Sequence, residues 1–140
     1  KYKVYLSPFI PLNIDRHNYI SSTDLRLLRR IVRDNRTRAT DVGNTINYWN
    51  TVRSGEEKHI YPYINNIDRI VNTSLVYELG VLKVFVEPLL YSVKEDSTAY
   101  YQARRLINNL KGFYPIPSDY VPDESVLREF IGKSVFEHYK

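Results

Sequence analysis

Six arginines fall between positions 26 and 38: Arg26, Arg29, Arg30, Arg33, Arg36 and Arg38. Guanidinium forks match phosphate oxygens in bidentate geometry, and several on one helical face can hold one polyphosphate. In phosphoryl transfer such groups neutralise charge on the transferring and leaving groups. The same spacing fits a solvated basic face paired with Asp and Glu. It also fits a nucleic-acid backbone, given the tyrosines nearby. Spacing alone leaves all three readings open.

Other chemistry is sparser. Asp15, His17 and Asp24 match no standard ligand spacing, and a hydrogen-bonded loop histidine is the simpler reading, so no metal site is expected. His59 and His138 stand alone. Glu56 and Glu57 beside Lys58 read as a solvated charge cluster. The 140 residues hold no Walker-type Gly-rich loop and no nucleophile elbow. Cysteine is absent, which excludes disulfides and thiolate metal sites within the chain. The 13 tyrosines are spread from Tyr2 to Tyr139 and read as half-buried packing.

The elements that must position these groups follow from periodicity. Lys3 to Ser7 is β-prone and stopped by Pro8 and Pro11. Leu12 to Ser22 reads as a loop. Ser21, Ser22, Thr23 and Asp24 form a helix-start signal. From Leu25 to about Asn35, Leu25, Leu27, Leu28, Ile31 and Val32 gather on one half of a helix, with Arg26, Arg29, Arg30 and Arg33 on the other.

A second helix is predicted over Asp41 to Trp49, followed by a polar segment, Arg53 to Lys58, and an irregular Ile60 to Tyr63. Ile67 to Asn72 reads as a second short strand. An apolar helix spans Leu75 to Tyr91, with Pro88 expected to kink or shorten its last turn. Another covers Asp96 to Leu110, with Ala99, Ala103, Leu106, Ile107 and Leu110 facing inward. Phe113 to Pro122 reads as a connector and Asp123 to Phe130 as a short helix ended by Gly132. The tail, Ser134 to Lys140, is expected to fray.

Composition is that of one globular domain, with a net charge of +4 that suits a polyanionic partner. No apolar stretch is long or uncharged enough for a transmembrane helix. Two strands with several helices predict an α/β fold that is helix-rich. Two strands alone make a poor sheet, which points to further strands elsewhere. The chain opens on Lys1 and holds no methionine, as a segment of a longer polypeptide would.

The run Asp15 to Asp34 resembles the lid-region signature of bacterial uridine kinase-like proteins, in the uridine kinase and phosphoribulokinase group of P-loop kinases. The similarity continues through Trp49, Val52-Arg53, Gly55 to Lys58, Pro62-Tyr63 and Asp68. It resumes in Asn72 to Leu79 and in Leu127 to Gly132. The resemblance implies that residues 1–140 are the C-terminal part of a P-loop nucleoside-kinase-like fold, a parallel sheet flanked by helices. It implies an arginine-bearing mobile lid at about 22–39 that closes over ATP.

It further implies magnesium-dependent transfer of the ATP γ-phosphate to a hydroxyl of a nucleoside or sugar phosphate, in the cytoplasm. ATP and magnesium would be held mainly by a preceding half. By position, Arg26, Arg30, Arg33 and Arg38 correspond to phosphate-contacting arginines. Ala39 follows Arg38 where many relatives have glycine, and Asn50 stands where close relatives have proline. The P-loop and the acidic catalytic base are expected upstream of Lys1, so this chain alone is expected to be inactive. An anion- or nucleic-acid-binding module using helix 25–38 is the alternative, with nucleic acid the less favoured partner. Homo-oligomerisation is left open.

Overall fold

The computed structural model describes residues 1–10 and 20–137. The loop expected at Leu12 to Ser22 lies largely outside these residues, as do Asp15, His17 and His138.

Two strands, β1 (Val4–Ser7) and β2 (Arg69–Asn72), pair in parallel, with Val4 opposite Arg69 and Ser7 opposite Asn72. Both strands were legible in the sequence. Asn72 prolongs the ladder with its side chain: Oδ1 accepts from the Phe9 N–H at 2.8 Å, and Nδ2 donates to the Phe9 carbonyl at 2.9 Å. The faces of the pair are open. Val4, Leu6, Ile70 and Val71 are all exposed, although parallel sheets normally bury both faces.

Five helices supply the core: α1 (Ser22–Arg38), α2 (Val42–His59), α3 (Glu78–Tyr91), α4 (Tyr100–Leu110) and the short α5 (Arg128–Ile131). The fold of the described residues is thus helix-rich with a small parallel sheet, α/β in the loose sense.

The centre is α1, which packs against α2, α3 and α5. Ser21 caps it, its Oγ accepting from the Asp24 N–H at 3.0 Å. Ala39 ends it in the left-handed region, at φ 49° and ψ 31°, with its N–H returned to the Asn35 carbonyl at 3.1 Å. Ala39 thus takes the backbone form that glycine takes most readily.

The other elements differ from expectation in instructive ways. The second helix does not stop at Trp49 but runs through Gly55 to His59. Its inner stripe, Val42, Ile46, Trp49 and Glu56, keeps helical spacing across the polar segment. Residues Tyr61–Asn66 form a 3₁₀ segment in place of an irregular break. Pro88 leaves α3 running three residues further, to Tyr91. Inside α3, Gly80 admits the 113–117 connector, since a Cβ there would lie 2.7 Å from the Tyr114 carbonyl oxygen.

The predicted inward face of α4 is buried in full. The helix expected at Asp123 to Phe130 contracts to the four residues of α5, with Gly132 at φ 94° beyond it. The tail is tied as far as Glu137, which pairs with Arg36 at 2.9 Å. Most of the described tyrosines do not pack: nine, including Tyr101 at 85% and Tyr114 at 91%, are exposed, while Tyr5 and Tyr100 are half-buried.

Candidate functional site

From Asp24 to Asp34, every residue of α1 is buried except Arg26, Arg30 and Arg33. These fall at i, i+4 and i+7, one narrow stripe along an otherwise enclosed helix. The segment expected to act as a lid is therefore enclosed over most of its length, from Asp24 to Asp34. Moving it as a body would uncover Leu25, Leu27, Leu28, Ile31 and Val32 together. In this packing the arginine side chains can rearrange at far lower cost than the helix.

The stripe divides into two sites. Arg26 lies with Glu56, a carboxylate of α2, in a bidentate pair: Nη1 donates to Oε2 at 2.7 Å and Nη2 to Oε1. Its guanidinium carbon stands 5.8 Å from the Trp49 ring centroid. Glu56 is buried, which corrects its reading as part of a solvated cluster. Arg26 also borders a small cavity of about 280 Å³ over the face of the strand pair that carries Tyr5, Ser7 and Ile70, reaching Phe9.

Arg30, Arg33 and Arg38 converge on a single carboxylate. Asp34 Oδ1 accepts from Arg33 Nε at 3.2 Å and from Arg38 Nη1 at 3.4 Å, and Arg30 Nε lies 3.1 Å from Oδ2 as an ion pair. Asp34 is buried, whereas the Arg38 side chain is 63% exposed. Three guanidiniums around one carboxylate leave two positive charges uncompensated. The cluster opens on a cavity of about 530 Å³ lined by Arg30, Asp34 and Arg38 from α1 and by Asn44, Tyr48 and Thr51 from α2.

Of the four arginines expected to bind phosphate, the structure brings three together and places Arg26 apart. At 1.5 Å rise per residue, Arg26 and Arg38 stand roughly 18 Å apart along the helix. The lining residues of α2 were missed in the sequence. Their signal was there: Asn44, Tyr48 and Thr51 share one face at i, i+4 and i+7, just after the capping Asp41.

Arg29 belongs to neither site and corrects the picture of a wholly basic face. It is buried against α3, with Nε and Nη2 on the two oxygens of Glu78, the latter at 2.7 Å. Nη2 also donates to the Thr73 carbonyl at 2.7 Å, and the guanidinium lies 5.0 Å from the Phe130 ring centroid. Arg36 reaches α5 and donates to the carbonyls of Phe130 at 3.1 Å and Glu129 at 2.9 Å. Both arginines tie elements together.

Asp24 is held from α4 by Arg105, which donates to its two oxygens at 2.9 and 2.5 Å. That hydrogen bond, opposed by partial burial and helped by the Asp24 charge, pushes the Arg105 guanidinium above its ordinary range. No group of three His, Asp or Glu among the described residues is arranged to hold a metal ion, and His59 is exposed. No helix among them is long and apolar enough to cross a membrane.

The chain matches no family model, no curated protein and no solved structure.

Proposed function

We propose that this chain is part of an ATP-dependent phosphotransferase and that α1 contributes the guanidiniums that meet the phosphates. The observation that carries this reading is the three-to-one cluster of Arg30, Arg33 and Arg38 on Asp34, opening on a cavity of about 530 Å³. A carboxylate that loosely satisfies three guanidiniums keeps them pointed and leaves donors for an incoming anion. A polyphosphate compensates the two excess charges and replaces water on the exposed donors.

The resemblance of Asp15 to Asp34 to the uridine kinase-like signature supports the same assignment. The open apolar faces of β1 and β2 support membership in a larger parallel sheet. Arg26, beside a small cavity that extends from the face of the strand pair to Phe9 just beyond β1, suits the acceptor side of the reaction. The acceptor would be a nucleoside or sugar phosphate.

The residues present fit the phosphate part of ATP. Magnesium, when bound, neutralises charge on the β- and γ-phosphates, and its ligands in this reading belong to the preceding P-loop half. What this chain's own residues do is orient and neutralise. Arg30 and Arg38 line the cavity, Arg33 holds Asp34 from outside it, and Asp34 fixes all three rotamers. A compact, half-buried cluster favours a small polyanion over a nucleic-acid backbone, which would need a longer exposed stripe.

The test is kinetic, in the protein that carries both halves. Arg30→Ala and Arg33→Ala should each lower turnover about 100-fold or more, with only a small change in melting temperature. Unchanged turnover in both variants would sink the assignment.

A further inference from the structure

We propose a second ligand site, for a small polyhydroxylated anion of the sugar-phosphate class, in the cleft between α2 and α4. The cavity measures about 750 Å³ and closes on the N-terminus of α1. It touches the Asp34 cavity only at Asn47 and contains none of its arginines, so it stands independently of the phosphotransferase reading.

Its lining decides the ligand class. Asn47 and Asn50 from α2 face Gln102 and Asn109 from α4, with Arg53 and Arg105 beside them. A carboxamide both donates and accepts, as a hydroxyl does, so facing carboxamides suit a ligand with several hydroxyls. Two are already oriented: Asn47 Oδ1 accepts from Thr98 Oγ1 at 3.1 Å, and Gln102 Oε1 accepts from Arg105 Nε at 3.2 Å. Asn50 and Asn109 have no side-chain partner among the described residues. Pockets for apolar ligands are lined mainly by hydrophobic side chains, and here Ile46 and Trp49 are the only such members.

Charge selects the anionic group. Asp24 lines the cleft, but Arg105 occupies both its oxygens. Arg53 is less committed: its nearest carboxylate, Glu57, is 3.7 Å away and solvent-exposed. The N-terminus of α1, which carries Ser21 and Thr23 into the cleft, adds the positive end of a 17-residue helix. One phosphate or carboxylate on the ligand satisfies this end, while the carboxamides take the hydroxyls.

Trp49 is the only tryptophan of the chain and lines this cleft but not the Asp34 cavity; Arg26 also stacks on its ring, so the cleft variants Asn50→Ala and Arg53→Ala are what separate this site from a ligand at Arg26. Titrating the chain with ribose 5-phosphate or glucose 6-phosphate should give a saturable change in Trp49 emission. Free sugar and inorganic phosphate should each require at least about tenfold higher concentration. Asn50 and Arg53 are exposed, so Asn50→Ala and Arg53→Ala should weaken binding about tenfold or more without moving the melting temperature. Arg38→Ala should leave it unchanged.

An absent response at millimolar sugar phosphate would overturn the proposal. So would an equal response to phosphate alone, which would leave the carboxamides without a role. Loss of the response in Arg38→Ala, with Asn50→Ala unaffected, would place the ligand in the other cavity and equally refute the site.

Discussion

Arg29 and Arg30 are neighbours on one helix, yet they sit in regions governed by different charge rules. On the α3 side, Arg29 meets Glu78 one to one, both are buried, and Thr73 takes a further donor. On the α2 side, Arg30, Arg33 and Arg38 share Asp34, and all three retain exposed donors. The first arrangement is closed: every strong group has a partner and water is excluded. The second is open by two charges. The comparison separates arginines that hold a fold from arginines available to a ligand, by stoichiometry and burial and not by spacing.

The most forceful way to break this comparison is to open the closed side. Glu78→Ala strands the Arg29 guanidinium in the core and removes the acceptor of the Leu75 N–H. Losing one partner of a buried pair costs about 3–5 kcal/mol. For a chain of this size that corresponds to a melting temperature lower by about 10 °C or more. The double variant Arg29→Met/Glu78→Leu removes both charges and should recover much of the loss, because a buried pair is worth far less than its halves cost separately. Calorimetric melts of the two variants check this. A small loss in Glu78→Ala would mean that Arg29 reaches water and that the two sides of α1 are alike.

The sequence made α1, both strands and the inner face of α4 legible, because each carries strong local periodicity and α1 also carries a capping signal. It did not separate Arg29 from Arg30. On a helical wheel they lie about 100° apart, and their difference is made by Glu78, distant in sequence. Glu56 was hidden in the same way: beside Glu57 and Lys58 it looks solvated, and only the continuation of α2 past Gly55 delivers it to Arg26. The nine exposed tyrosines misled because a ring that is apolar with a polar tip suits half-buried packing, whereas Leu, Ile and Val do most of the packing here. The candidate site was thus half legible. Its arginines stand out in sequence; the Asp34 hub and the α2 wall needed the fold.

The open side can be sharpened with a change whose sign is diagnostic. Asp34→Asn keeps the shape and removes the one negative charge among three guanidiniums. Stability should fall by about 1–2 kcal/mol, as hydrogen bonds between charged groups are lost. Binding of tripolyphosphate should strengthen about tenfold, since an anion no longer competes with a carboxylate at contact distance. Calorimetric titration in low salt reads the affinity. A purely structural cluster predicts the destabilisation without the gain in binding, so the two signs together distinguish the readings.

The smallest effect tests how the cluster is held. Arg38 stands at the last position of α1, and its link to Asp34 spans one helical turn. Immediately after it, Ala39 holds φ at 49°, a conformation that disfavours an L side chain by roughly 1–2 kcal/mol. Ala39→Gly removes that cost but gives the unfolded chain more freedom, worth about 0.4–1 kcal/mol in the other direction. The net should be stabilisation by about 0.5–1 kcal/mol, visible as a small rise in melting temperature. The turn is already in the form glycine prefers, so Arg38 should stay where it is and tripolyphosphate affinity should not move. A drop in affinity in Ala39→Gly would show that the alanine methyl group stiffens the exit of α1 and that this stiffness, not the i,i+4 contact with Asp34, positions Arg38.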